Sequence, residues 1–217
     1  MASQYEKRLQ SILKTYVTPY LHEHGFTRDR NYYSHKLDEL TWVIEVERSG
    51  FNDPTQARFT IACGVFIPGV VSRYVGKEDP TRPSYPDCTL FSRLGWLASD
   101  QLDTWWTLSI VDDAPRVDAE IGRDIIERLG RDGLPFLHRF QTRVEVLDFL
   151  IGPRDKRDRR IDPGEGAIPL IYASILSLLM GDEAHSHALW DKAVEAAAKA
   201  PSAFKSMMPT LEKRVFG

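Results

Sequence analysis

Two glutamates separated by one residue occur in the segment "LTWVIEVER", where their carboxylates could do chemistry. Side chains two positions apart in a strand share a face, so Glu45 and Glu47 would lie together. The alternate residues Trp42, Ile44 and Val46 are apolar and would face the other way. A carboxylate pair on a sheet can hold a divalent metal that activates water, as in nucleases whose sheet carries Asp…Glu-x-Lys. One hypothesis is therefore a metal-dependent hydrolase acting on nucleic acid or phosphate esters.

The same alternation is typical of a strand with one face in solvent. The segment reads "EVER" rather than Glu-x-Lys, and no aspartate is clearly placed to complete a metal site. The pattern therefore favours a polar sheet face over an active site at Glu45 and Glu47. The sequence predicts no catalytic residue, no metal site and no cofactor, and it favours a non-catalytic protein over an enzyme.

The histidines and cysteines do not form a site in the sequence. His22 and His24 are two positions apart, as are His185 and His187, whereas a helical metal-binding pair needs a spacing of four. Two cysteines are too few for a disulfide framework or a cysteine-built zinc site. Cys63 lies on the apolar face of a strand, which predicts a buried, unreactive thiol.

An arginine and neighbouring aromatic residues are the candidates for a binding surface. Arg93 interrupts an otherwise apolar strand, and Trp105 and Trp106 would put one indole on each face of the next strand. An arginine beside an exposed tryptophan is typical of a protein-binding hot spot, but the same groups also form structural cation–π contacts. Both interpretations stay open. The predicted binding residues are Arg93, Trp105 and Tyr74, the last from the proline- and glycine-rich segment 68–87, which predicts a long loop.

A charged segment, "GPRDKRDRRIDPGEG" at residues 152–166, carries a local basic cluster. Its basic side chains are Arg154, Lys156, Arg157, Arg159 and Arg160. Three aspartates dilute the cluster and no aromatic residue is interleaved with it, so a solvated linker is favoured over a nucleic-acid site.

The elements that would position these residues begin with an amphipathic helix from Tyr5 to Leu21. Pro19 falls inside it, which predicts a kink or a restart with Thr18 as the cap, and Gly25 predicts its end. A hairpin of "NYYSHKL" and "LTWVIEVER" follows, and then the strands "ARFTIACGVFI", "CTLFSRLGWL" and "DTWWTLSIV". Helices are expected over about 115–130, 134–151, 166–181, 183–199 and 202–214.

Strands followed by helices predict an α+β fold, with the N-terminal helix packed on an antiparallel sheet of about five strands and a helical C-terminal region. The predicted division is a sheet domain at 1–151, a charged linker at 152–166, and a helical annex at 167–217 that contains an αα-hairpin and a last helix.

The motifs "GF" at 25–26, "TWVIEVERS", "FTIACGVFIPG", "FSRLG", "DTWW" and "GLPFL" resemble those of domain-of-unknown-function family 4304, over residues 5–150. The resemblance implies a bacterial protein and a fold rather than an activity, although some similar small domains act as immunity or accessory proteins in conflict systems. The tail "LLMGDEAHSHALWDKAVEAAAKAP" resembles a single tetratricopeptide-type hairpin. It departs from that pattern at Ser186, where alanine is usual.

The composition limits the partners. A net charge of -3 over 217 residues gives no general attraction to nucleic acid or anionic lipid. No apolar run is long enough to span a bilayer, and "MASQYEKRLQ" lacks the apolar core of a signal peptide. We therefore expect a cytoplasmic, non-catalytic module that binds a protein partner, immunity-like or accessory in role. The sequence does not specify the partner or the oligomeric state.

Overall fold

The computed structural model describes residues 4–52, 55–109, 112–153, 155–199 and 202–217. Its strands are β1 Thr27–Asp29, β2 Tyr32–Lys36, β3 Thr41–Arg48, β4 Gln56–Phe66, β5 Leu90–Arg93 and β6 Trp106–Ser109. Its α-helices are α1 Gln4–Ile12, α2 Thr18–Glu23, α3 Val70–Val75, α4 Leu94–Leu97, α5 Ala114–Arg128, α6 Leu134–His138, α7 Arg143–Ile151, α8 Ile168–Leu179, α9 Glu183–Ala197 and α10 Ser202–Phe216. Two π-helical turns, Leu13–Val17 and Leu129–Gly133, and a 3-10 turn, Tyr85–Asp87, complete these elements.

The N-terminal helix accommodates Pro19 by widening rather than by breaking. A π-helical turn, Leu13–Val17, joins α1 to α2, and Val17 keeps helical dihedral angles. The Thr18 hydroxyl donates a hydrogen bond to the Leu13 carbonyl at 2.8 Å, and the Thr18 N–H is directed to the same carbonyl. The predicted restart with Thr18 as a cap is therefore wrong, because the wider turn already accommodates the proline. Gly25 ends the helix with φ +83°, as predicted.

The sheet has six strands in the order β1-β2-β3-β4-β5, with β6 also paired to β4. The pairs β1–β2, β2–β3 and β4–β6 are antiparallel. The predicted hairpin about Asp38–Glu39 is present as β2 and β3, with Lys36 opposite Thr41. Together with the leading helix and the later helices, this sheet confirms the predicted α+β fold.

Strands β5 and β6 both pair with β4. The chain therefore leaves β4 at the end of β5 and returns to it at the start of β6. The predicted strand "CTLFSRLGWL" is shorter than expected, since it ends at Arg93 and continues as the helical turn α4. Trp105 precedes β6 rather than lying within it. Residues 94–105 therefore form an excursion between two strands that pair with the same neighbour.

The described residues divide into two compact units. The first consists of residues up to 37, 41–64 and 92–139, and the second of 38–40, 65–91 and from 140 onward. Both units are discontinuous along the chain, whereas the predicted division at 152–166 is continuous. That three-part division stays a prediction.

In the first unit, helices cover one face of the sheet. Trp42 of β3 lies 5.0 Å from His138 of α6, measured between ring centroids. Trp106 of β6 stacks on Phe59 of β4 and donates from Nε1 to Asp124 of α5 at 2.7 Å. The apolar residues that alternate along these strands thus form a core with the helices, as their period of two predicts.

The second unit contains the predicted αα-hairpin, formed by α8 and α9. Gly181, with φ +83°, ends α8, and the Asp182 side chain caps α9 by accepting from the His185 N–H at 2.9 Å. Where the helices cross, the Ser174 and Ser186 side chains are buried, and each hydroxyl donates to the backbone carbonyl of the other residue.

Residues 68–87 are partly helical, which corrects the prediction of a long loop. Helix α3 occupies Val70–Val75, between glycines at 69 and 76 that adopt positive φ. The 3-10 turn Tyr85–Asp87 is capped by Ser84, whose hydroxyl donates to the Asp87 carboxylate at 2.6 Å. Gly69 and Gly76 thus mark the ends of α3, whereas residues 77–83 lie outside any helix or strand. The predicted helix 134–151 is also divided, because Thr142 begins the separate helix α7 with a capping box.

Candidate binding surface at the sheet edge

Arg93 is the last residue of β5, immediately before α4. Its guanidinium makes two hydrogen bonds to the Glu47 carboxylate of β3, with Nε 3.2 Å from Oε2 and Nη2 3.0 Å from Oε1. Nη1 donates to Asp103 Oδ2 at 3.0 Å. The Arg93 and Glu47 side chains are each 23% exposed, and that of Asp103 is 33% exposed. Arg93 is therefore held by two carboxylates at the border of the solvent.

The same guanidinium lies over two indole rings. The Arg93 Cζ lies 5.3 Å from the ring centre of Trp96 and 5.2 Å from that of Trp105. Trp105 also donates from Nε1 to Asp103 Oδ2 at 2.9 Å. Both contacts lie within the range of cation–π attraction. The guanidinium is thus bound by two carboxylates and lies over two aromatic rings.

We name residues 93–105 the edge platform. Gly95 fixes its shape, because a Cβ at this position would overlap the Leu102 carbonyl oxygen and the Thr104 nitrogen of the returning chain. Leu102 N–H is capped by the Asp100 carboxylate at 3.3 Å, and Gln101 turns the chain with φ +53°. The platform is therefore a compact excursion whose two arms are in close contact.

The edge platform exposes apolar side chains. Leu102 is 65% exposed and Trp96 is 36% exposed, whereas most large apolar residues of this unit are buried. A second arginine lies beside them, because the Arg58 Cζ of β4 is 5.7 Å from the Trp105 ring centre. Exposed apolar side chains on a rigid support, next to arginine and tryptophan, are the composition typical of a protein-binding hot spot.

Glu45 and Glu47 lie two positions apart in β3, so they share a face of the strand, and both are half-buried. The structure brings Glu47 to Arg93 and, through it, to Asp103. The Glu47 and Asp103 carboxylates are thus both bound by the Arg93 guanidinium. Within residues 4–52, 55–109, 112–153, 155–199 and 202–217, no group of three or more His, Cys, Asp or Glu side chains could hold a metal ion.

Tyr74 lies on α3 of the second unit and is half-buried. Its ring meets the Tyr172 ring edge-on at 5.4 Å, and its carbonyl accepts from Arg214 Nη1 at 3.1 Å. Burial raises the pKa of the Tyr74 hydroxyl. The structure gives Tyr74 internal packing partners, and its role in binding stays a prediction.

The basic cluster is partly engaged in local contacts. Arg157 donates from Nε and Nη2 to the Gly152 carbonyl, and Arg160 donates from both Nε and Nη2 to the Asp158 carboxylate. Arg154 lies outside the described residues. The backbone of this segment also reaches the sheet, because Asp162 and Phe91 exchange two hydrogen bonds.

The two cysteines are buried free thiols, as expected for Cys63. Burial raises the pKa of the Cys63 thiol from 9.0 to about 12. Cys88, whose exposure the sequence leaves open, is 3% exposed, and its sulfur faces the Ser84 carbonyl at 3.5 Å. Cys63 therefore lacks the accessible, low-pKa thiol that reactive cysteines require, and Cys88 is likewise inaccessible to solvent.

The sequence predicts Arg93 and Trp105 as binding residues, and the structure places Trp96, Leu102 and Asp103 in the same excursion as Trp105. The sequence alone does not indicate these three residues, because its pattern from 94 to 105 predicts parts of two strands. One signal was available, since "SDQLD" at 99–103 is a polar turn sequence that interrupts the apolar alternation. It marks the return of the excursion.

The fold and this surface define a protein of the α+β class with an arginine–tryptophan cluster at its sheet edge. The chain belongs to the family described as "Domain of unknown function (DUF4304)", whose model matches residues 17–139, more than half of its length. This match confirms the resemblance drawn from the motifs, and its range includes the edge platform. No curated protein and no solved structure matches the chain. Across the residues that the structure describes, no helix has the length and apolar character needed to cross a membrane.

Proposed function

We propose that the protein is a non-catalytic module that binds a protein partner through the edge platform. The observation that carries the proposal is the exposure of Trp96 and Leu102 on a platform whose shape is fixed by Gly95. A surface that is already ordered loses less conformational entropy on binding than a flexible one. Apolar side chains that stay exposed on such a surface gain free energy when a partner covers them.

The cluster beneath these side chains supports a positioning role for Arg93 rather than a direct one. Its guanidinium already has two carboxylate partners and two aromatic neighbours. Arg93 thus fixes the ring planes of Trp96 and Trp105, which the partner would contact.

The alternative hypothesis, a metal-dependent hydrolase using Glu45 and Glu47, receives less support from the described residues. Glu47 is bound by the Arg93 guanidinium, and the described residues form no group of three or more His, Cys, Asp or Glu side chains that could hold a metal ion. A divalent ion at Glu47 would have to displace a two-fold hydrogen-bonded arginine.

The cellular role that we propose is that of an immunity-like or accessory protein in the bacterial cytoplasm. The family resemblance supports this role, because some similar small domains act in conflict systems. Two free, buried cysteines are compatible with a reducing compartment.

The test is a capture experiment with tagged protein in lysate of the source organism. Wild type is compared with a Trp96→Ser/Leu102→Ser double variant and with Val144→Ser. Val144 is 50% exposed on α7 of the other unit, so its replacement controls for the general loss of exposed apolar area. Captured proteins are quantified by mass spectrometry, and any protein that depends on the platform is then purified and its Kd measured.

We expect wild type and Val144→Ser to retain the same partner and the double variant to lose it, with a Kd raised at least about tenfold. Circular dichroism checks that all three proteins are folded. A partner that binds the double variant as well as wild type contradicts the proposal, and so does the lack of any protein enriched over an untagged control.

A further inference from the structure

The outer edge of β6 is open in the middle. Thr107 lies opposite Arg58 in the β4–β6 pair. The Arg58 N–H donates to Asn52 Oδ1 at 2.7 Å, and its carbonyl accepts from the Ser49 N–H at 2.9 Å, so both of its backbone groups point away from β6. Thr107 therefore occupies a non-hydrogen-bonded position of the ladder, and its own N–H and C=O point away from β4.

The next outward-facing residue, Ser109, is already covered. Its N–H donates to Asp112 Oδ2 at 2.8 Å, and its carbonyl accepts from Arg8 Nη1 at 2.9 Å. No such cover reaches Thr107 from any residue that the structure describes. The edge of β6 is thus closed at one end and open toward Trp105 and the edge platform.

The side chains beside this opening have a defined chemistry. Thr107 is exposed, and Arg58 opposite it is exposed on the same face of the sheet. Trp105, two positions before Thr107, lies under the Arg58 guanidinium. In the part of the chain described, Arg58 has no carboxylate partner, unlike Arg93. A strand added here would therefore meet one apolar surface and one uncompensated positive charge.

We propose that the partner adds an extended segment to the outer edge of β6, with an acidic residue opposite Thr107, directed toward the Arg58 guanidinium, and an apolar residue two positions away on Trp105. This inference rests on the proposed function and specifies its partner. The Thr107 backbone would contribute one donor and one acceptor, as in other cases of strand addition. The added segment would continue past Trp105 onto Leu102 and Trp96.

Charge favours such a partner over a second copy of this chain. Two copies paired antiparallel about Thr107 would put Thr107 opposite Thr107 and bring no carboxylate to Arg58, which lies on β4, one strand inward of β6. Both cations would then stay uncompensated on the same face of the joined sheet. An acidic extended segment instead compensates the cation.

The experiment is a selection of random linear 12-residue peptides, displayed and enriched on immobilised protein. The decisive variants are Thr107→Pro and Thr107→Val. Proline removes the outward N–H without removing a bond to β4, and edge strands tolerate proline where the N–H faces solvent. Valine keeps the N–H and the strand propensity, so it is the matched control. Circular dichroism and a urea midpoint check the folding of each variant.

We expect wild type to enrich peptides with an acidic residue two positions from an apolar one. Binding of a selected peptide should weaken at least about tenfold in Thr107→Pro and less than about threefold in Thr107→Val. A second variant, Arg58→Glu, should reverse the preference from acidic to basic peptides, and it keeps the inference testable if Thr107→Pro does not fold.

Peptides that bind Thr107→Pro and wild type equally overturn the inference. A selection that enriches no peptide over bare resin also overturns it, and so does dimerisation of the protein in place of peptide binding. The partner captured from lysate distinguishes a failure of this inference from a failure of the proposed function. If it is lost by Trp96→Ser/Leu102→Ser but kept by Thr107→Pro, the platform binds a partner and strand addition is wrong.

Discussion

Arg93 and Glu47 form a two-fold hydrogen-bonded ion pair that joins the end of β5 to β3, with heavy-atom distances of 3.0 and 3.2 Å. From the sequence, one residue was a binding candidate and the other a catalytic candidate. The structure makes them parts of a single cluster, in which the carboxylate and the indoles fix the guanidinium. The ion pair therefore makes Glu47 less available to a metal ion and Arg93 less available to a binding partner.

Replacing Arg93 should test this cluster. Arg93→Ala removes the partner of two part-buried carboxylates, so we expect the free energy of unfolding to fall by about 1–3 kcal/mol. Arg93→Lys should recover less than half of this loss, because an ammonium group cannot bind Glu47 and Asp103 in one plane or stack on the indoles. Urea denaturation followed by tryptophan fluorescence measures both changes.

The control for this series is Arg116→Ala, which removes an ion pair to Glu120 in which the side chains are 63% and 53% exposed. Exposed pairs of this kind contribute about 0–1 kcal/mol. Equal losses of the free energy of unfolding in Arg93→Ala and Arg116→Ala would show that the Arg93 cluster contributes no more to stability than an exposed ion pair.

Gly95→Ala should distort the edge platform. The added Cβ would meet backbone atoms of Leu102 and Thr104, which cannot rotate away as a side chain could. We expect a loss of about 1–3 kcal/mol in the free energy of unfolding. The matched control is Gly50→Ala, where a Cβ would meet no atom within 4 Å and the change should be within about 0.5 kcal/mol. A thermal-melting comparison in which both variants behave alike would contradict the close packing at Gly95.

The buried serine pair in the αα-hairpin should show coupling. The Ser174 hydroxyl donates to the Ser186 carbonyl at 2.9 Å, the Ser186 hydroxyl donates to that of Ser174 at 2.8 Å, and the two hydroxyl oxygens lie 3.1 Å apart. We expect each single alanine variant to cost about 1 kcal/mol. The double variant should cost less than the sum of the two single variants. Each single variant already removes the contact between the two hydroxyl groups, and the double variant loses that contact only once.

A double-mutant cycle in urea measures this coupling, with the exposed Ser11→Ala as the control for general serine-to-alanine effects. Strict additivity of the two losses would mean that the serines act independently. The tetratricopeptide-type pattern usually has alanine where this chain has Ser186. A Ser186→Ala variant that is more stable than wild type would show that the Ser186 hydroxyl destabilises the protein.

Cys63 should make stability depend on alkaline pH. Its pKa is about 12 in the folded protein and about 9 when the thiol meets water. Between these values the unfolded chain loses the proton while the folded chain keeps it, so the free energy of unfolding falls as the pH rises from 9 toward 12. Relative to Cys63→Ala, the wild-type slope should be steeper by up to about 1.4 kcal/mol per pH unit.

Urea titrations at several pH values between 8 and 11 measure this difference, since only the slopes and not the absolute stabilities of the two proteins are compared. Parallel slopes would contradict the burial of the thiol. In a Cys88→Ala background, a thiol reagent at pH 8 should label Cys63 only as fast as the protein unfolds.

Local patterns in the sequence were sufficient for the class of fold. The period of two in "TWVIEVER" and "ARFTIACGVF" gave β3 and β4, Gly25 gave the end of the first helix, and Gly181–Asp182 gave the αα-hairpin. These features depend on residues within a few positions of one another, where propensity and capping act. The placement of Glu45 and Glu47 on one face of β3 followed from the same alternation.

The candidate site needed the tertiary structure. Arg93 meets Glu47, which is 46 positions away, and Asp103, which is ten positions away, because β5 and β3 both neighbour β4. No local pattern indicates that β5 and β6 pair with the same strand and that the chain between them forms a platform. Strand order and the direction of the backbone groups at Thr107 depend on pairing between distant segments. The sequence therefore determined the elements and their apolar faces, and only their packing decided which polar residues became neighbours and which edge stayed open.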